Sequence, residues 1–207
     1  MWKQDWWYKM TITKAVEAVD AWAEIAQNAI REGSIANLAP NYHSQLHLDL
    51  ALTSEVAHTG TEIIIQIASA AADDEFWSDL IKFIGITGTP VAEAITNNPL
   101  AASGTSITVA STTGLITDAK LLFLEDATLA NSELVYQTAH VVDTSITILD
   151  GVKREHANTT VLYSLAQTYV IELPMSSNRV RVLYNNKYDA DGATAATRAR
   201  ISKVTAI

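Results

Sequence analysis

The stretch from Gly104 to Tyr163 is a run of short apolar, β-branched segments broken by turn residues at nearly even intervals. Strands are expected near 105–110, 120–126, 132–142, 145–149 and 160–164. Turn chemistry separates them at Thr113-Gly114, from Asp126 to Asn131, at Asp143-Thr144 and at Asp150-Gly151. A spacing of roughly 10–12 residues between turns is that of a small all-β module. The flanks also read as strands, so the module reads as an insertion into a second β unit.

Before it, Leu46, Leu48 and Leu50 alternate with His47 and Asp49, the period of a half-buried strand. Ile63-Ile64-Ile65-Gln66-Ile67 is dense and β-branched, and reads as a buried strand. Phe76, Trp77, Leu80, Phe83 and Ile84 are expected to return to the core. After the module, Tyr169, Ile171 and Leu173 share a strand face, and Val180, Val182 and Tyr184 alternate with Arg179, Arg181 and Leu183. Residues 197–204 form a last alternating strand, with Arg198 and Arg200 expected to face solvent or a partner. The expected architecture is mainly β: an antiparallel sandwich carrying a small barrel-like insert. Its parts are an arm over 1–20, a host sandwich over 21–96 and 165–207, and an inserted module over 97–164.

Residues 11–33 read two ways. Ile12, Val16, Val19, Trp22, Ile25 and Ile30 fall on one helical stripe, which Gly33 could cap. The span from Trp22 to Leu38 also partly alternates, as a hairpin turning at Glu32-Gly33-Ser34 would. Trp2, Trp6, Trp7 and Tyr8 crowd into the first ten residues. Each Trp ring can bury ~150–250 Å², so the arm is expected to pack on this chain's own core or on a neighbouring subunit.

The formal net charge is −9, which repels phosphate backbones and argues against nucleic-acid binding. With no cysteine, disulfides, thiolate metal sites and cysteine nucleophiles are excluded. No apolar run reaches the ~18 residues of a membrane helix. The opening MWKQDWWYKM lacks the apolar segment of a signal peptide. The expected setting is a cytosol, or a virion assembled in one, without a membrane partner.

No catalytic motif is present. His43 and His47 would lie ~13 Å apart on one strand face, too far to share a metal. Asp73, Asp74, Glu75 and Asp79 surround Trp77 on a loop that fixes no carboxylate separation. Asp189-Ala190-Asp191-Gly192 opens like a calcium loop, but Arg200 stands where the closing Glu would be. Neither GxSxG nor a phosphate-binding glycine loop occurs. No enzyme activity, cofactor or metal is therefore expected.

The opening GTSITVASTTG, the SELVYQT and TSITILDG strands and the later H-x-N-x-x-VLY, which begins at His156, resemble a β module of tailed-bacteriophage structural proteins. The flanking HTGTEIIIQIAS, SSNRVRVLYNNKYDADG and TRARISKVT are similar to phage virion proteins. The resemblance covers about residues 40–207 and implies a capsid decoration (cement) protein, or a neck or tail component. It implies a homo-oligomer, a trimer by preference, with the major capsid protein or another virion protein as partner. A different reading is a carbohydrate-binding sandwich, with Trp77 or the terminal Trp cluster as a stacking platform. Trp2, Trp6, Trp7, Tyr8, Trp77, Arg179, Arg181, Arg198 and Arg200 are the candidate interface residues.

Overall fold

A computed structural model describes residues 16–17, 20–26, 29–38, 44–69, 76–115, 120–174, 177–186 and 197–206. The first strands are β1 (Val16–Glu17), β2 (Ala23–Ile25), β3 (Ile30–Glu32) and β4 (Ala36–Asn37). Then follow β5 (Ser44–Leu52), β6 (Glu62–Ala68), β7 (Ser78–Ile84) and β8 (Ala92–Ala94). The middle of the chain supplies β9 (Ser106–Thr108), β10 (Lys120–Glu125), β11 (Glu133–Val141), β12 (Ser145–Ile148) and β13 (Val161–Tyr163). The last are β14 (Leu165–Leu173), β15 (Arg179–Asn185) and β16 (Thr197–Ala206). The pairings between these strands are antiparallel.

One sheet runs β1–β16–β5–β14, with β2 also on β16; a second runs β3–β15–β6–β7, with β4 also on β15. They face each other as a sandwich. Leu46 and Leu48 of β5 and Ile201 of β16 meet Ile63 and Ile65 of β6 and Val180 and Val182 of β15 in one buried cluster. The expected mainly β, antiparallel sandwich-like fold is what the structure has.

Three local expectations change. The stretch over 11–33 is neither helix nor hairpin where it is described. β2 joins one sheet through β16, while β3 and β4 join the other through β15. Ala and Trp22 satisfied a helical stripe, but pairing with two long strands decides the backbone. The Ile63–Ile67 run is buried on one side only: Ile63 and Ile65 face the core, while Ile64 and Gln66 are half-buried on the outer face. Trp77 lies on the outer face against Arg179 and Arg181, and Phe76 and Ile84 also do not return to the core. They are 84% and 51% exposed, because β7 is an edge strand with one side open, whereas Leu80 and Phe83 pack inward.

The third sheet, β8–β13–β10–β11–β12–β9, has six strands. It curls until its two edges meet: Ile95 bridges Val109, and the Thr96 N–H donates to the Thr108 carbonyl at 2.7 Å. The Asn97 side chain continues the seam, its Oδ1 accepting from the Thr108 N–H at 2.7 Å. Ile107, Leu122, Leu124, Ile146 and Leu162 fill the inside. β8 pairs with β13, so the boundary expected at residue 97 falls within this sheet. At the tip of the β11–β12 hairpin, Asp143 has a φ of 48°. Its carboxylate accepts from the Thr112 N–H at 3.1 Å and its own N–H donates to Thr112 Oγ1 at 2.9 Å, which holds a turn asparagine and aspartate tolerate best.

The chain leaves the host at Val91 and re-enters at Ser164, and the two crossings are tied together. The Val91 N–H donates to Ser164 Oγ at 2.8 Å, and the Ser164 N–H donates to the Val91 carbonyl at 3.0 Å. Beside them Trp22 and Ala51 of the host pack on Phe123 of β10, all buried, with the Trp22 and Phe123 rings 4.5 Å apart.

Candidate interaction surfaces

The named aromatic and cationic residues fall into three groups. Trp2, Trp6, Trp7 and Tyr8 lie outside the described residues. So do His43, the acids from Asp73 to Glu75, and the loop from Asp189 to Gly192.

Trp77, Arg179 and Arg181 come together on the outer face of the second sheet. Strand alternation puts Arg179 and Arg181 on the side of β15 opposite Val180 and Val182, where Trp77 lies across them. The Arg181 guanidinium sits 4.3 Å from the Trp77 ring centre and that of Arg179 sits 5.1 Å away. Such contacts contribute ~0.5–2 kcal/mol according to solvent exposure. Arg181 is further held by Gln66 Oε1 at 2.8 Å and Glu32 at 2.7 Å, and Gln66 donates to Asp79 at 2.7 Å. The cluster thus links all four strands β3, β15, β6 and β7, and the arginines occupy ring surface that a stacked sugar would need.

Arg198 and Arg200 do not face solvent as expected. The outer face of β16 is turned toward the third sheet, and there the two arginines are paired internally. Arg198 Nε donates to Glu125 of β10 at 2.7 Å and its Nη1 lies 3.3 Å from Glu24. Tyr163 also hydrogen-bonds Glu125; burial, then the Glu125 charge, push its phenol up to about 12. Arg200 Nε donates at 2.8 Å to Asp49, which is buried and also accepts from Thr168 Oγ1 at 2.7 Å. The Arg200 guanidinium lies 4.6 Å from the Trp22 ring centre. Asp49, read as a polar alternate of a half-buried strand, is instead buried on the outer face beneath Arg200 and Thr168 of the flanking strands.

Sequence reasoning missed the buried charge of the module. His156 is fully enclosed between Asp126 and Glu133, with Nδ1 3.0 Å from Asp126 Oδ2 and Nε2 2.7 Å from Glu133 Oε1. Glu133 also accepts from the Lys153 N–H at 3.0 and 3.1 Å. The triad ties the loop after β12 to the turn between β10 and β11, and the late His of the quoted motif was its one visible signal. A polar pocket of about 160 Å³ opens beside it, lined by Asn131, Glu133, Lys153, Arg154 and Arg200 among others. Among the described residues no group of three or more His, Cys, Asp or Glu side chains could hold a metal ion, and no helix is long and apolar enough to cross a membrane.

Exposed apolar residues are the remaining surface feature. They lie on β7 and its approach (Phe76, Ile81, Ile84), on β14 (Val170), around the β11–β12 hairpin (Tyr136, Val141, Val142, Leu149), and at Ile30, Ile35 and Val56. The molecule is thus an antiparallel β-sandwich-like protein with an integral curled sheet. No protein-family model, curated protein or solved structure matches the chain.

Proposed function

We propose that this chain is a non-enzymatic structural protein of a tailed-phage virion, a decoration (cement) protein that braces the outside of the capsid. The observation that carries this reading is how charge and apolar surface are distributed. The arginines that could have served a ligand are engaged with Glu125, Asp49, Glu32 and Trp77 inside the fold. Outward, exposed apolar side chains stand on β7, on β14 and around the β11–β12 hairpin. A part that works by contact needs such a scaffold, with its binding energy in exposed apolar anchors. The acidic balance suits a position away from packaged DNA. The partners are further copies of the chain and the major capsid protein.

The test is localisation in purified particles from the source of this chain. An antibody raised against it is expected to label the outer face of heads, and a particle reconstruction to place its density there at capsid symmetry positions. Labelling confined to the neck or tail, or absence of the chain from the particles, would overturn the cement reading.

A further inference from the structure

We infer that the outer face of the curled sheet, over β9, β11 and β12, packs against the same face of a second copy of this chain. The three strands read SIT, ELVYQTAHV and SITI. Their one charged residue, Glu133, is buried and holds His156. The outward positions are Tyr136 and Val141 on β11, Ser145 and Thr147 on β12, and Ser106 on β9, with Leu149 just beyond β12. Register places them side by side: Val141 opposite Ser145, Thr147 opposite Ser106, and the Leu149 N–H donating to the Tyr136 carbonyl at 2.8 Å. Tyr136, Val141 and Leu149 are 43%, 58% and 63% exposed.

The charge balance selects the occupant. The chain carries a formal −9, so two copies repel over most relative orientations. An uncharged face set against itself keeps like charges out of the contact and confines them to its rim, and it offers an oppositely charged partner nothing to select. Short Ser and Thr side chains let two such sheets approach to ~10 Å, the spacing of packed β layers. Tyr136 and Leu149 then interdigitate as anchors, with Asp143 and Asp150 in the adjacent turns at the rim. The same apolar stripe is already covered farther along β10 and β11, where Trp22 closes over Phe123 and Leu134 packs beside it. The inference extends the self-associating scaffold proposed above, but its test reads solution mass and would stand if the virion reading failed.

The experiment uses the full chain in sedimentation analysis between low and high micromolar concentrations. The wild type is expected to dimerise reversibly or form a larger assembly. Tyr136→Lys and Leu149→Lys, each at an exposed position, are each expected to weaken association by about tenfold or more. Val170→Lys, on β14 of the sandwich rather than on the curled sheet, is expected to leave it unchanged. Circular dichroism confirms folding of each. Because the chain has no cysteine, Thr147→Cys supplies a single thiol, and a short bismaleimide is expected to link two copies through it. A wild type monomeric throughout overturns the inference. So does an assembly that both face variants leave intact.

Discussion

His156 is fully buried and held at both ring nitrogens. Removing one partner of a buried charged group leaves the other uncompensated, which costs ~3–5 kcal/mol. His156→Ala is therefore expected to lower unfolding free energy by about that amount, because Glu133 stays buried with only the Lys153 N–H to serve it. Urea unfolding measures this; a loss under ~1 kcal/mol would mean the triad is peripheral to stability. Gly151 is fixed by a different constraint. A Cβ there would lie 2.3 Å from the Ser103 carbonyl oxygen, a contact with backbone that no rotamer relieves. The Asp-Gly pair is legible in the sequence as a turn, but the reason for glycine is the approach of a second loop from far along the chain.

At the scale of elements, β10 is the strand that joins the two halves. Its inner residues Leu122 and Leu124 fill the curled sheet, while Phe123 and Glu125 point back to the host. Tyr163 of the neighbouring strand shares Glu125 with Arg198, which gives this junction a pH dependence. In the unfolded chain the phenol ionises near 10; in the fold it keeps its proton until about 12. Above pH 10 the unfolded state thus loses its proton first, so the stability from this group is present below 10 and is lost as pH rises toward 12. Melting temperatures taken from pH 8 upward are expected to fall less steeply in Tyr163→Phe than in the wild type. Identical slopes would show that the phenol ionises as freely folded as unfolded. Short strands explain why β2, β3 and β4 were not legible. Two or three residues carry too little periodicity to outweigh a helical stripe, and their conformation is set by β15 and β16, more than a hundred residues away.

For the whole molecule, the paired crossings at Val91 and Ser164, the Trp22–Phe123 contact and the Glu125–Arg198 pair make the curled sheet part of the host rather than an appendage. A single cooperative transition is expected in scanning calorimetry of the wild type. Phe123→Ala removes the ring that fills the junction and is expected to cost ~3–5 kcal/mol, separating the heat absorption into two overlapping steps. Two steps already present in the wild type would show that the junction does not couple the halves. What the sequence determined alone is the strand content, the alternating core of β5 and β15 and the turns of the curled sheet, because a period of two and turn chemistry are local properties. The tertiary structure alone decided which outer faces are covered. Arg198 and Arg200 read as surface and are paired within the fold, Asp49 is buried, Phe76 and Ile84 read as core and are exposed, and His156 is buried between two carboxylates. Each of these depends on which strand ends up beside which, and on whether a strand lies at an edge. Those are long-range outcomes that no window of sequence carries.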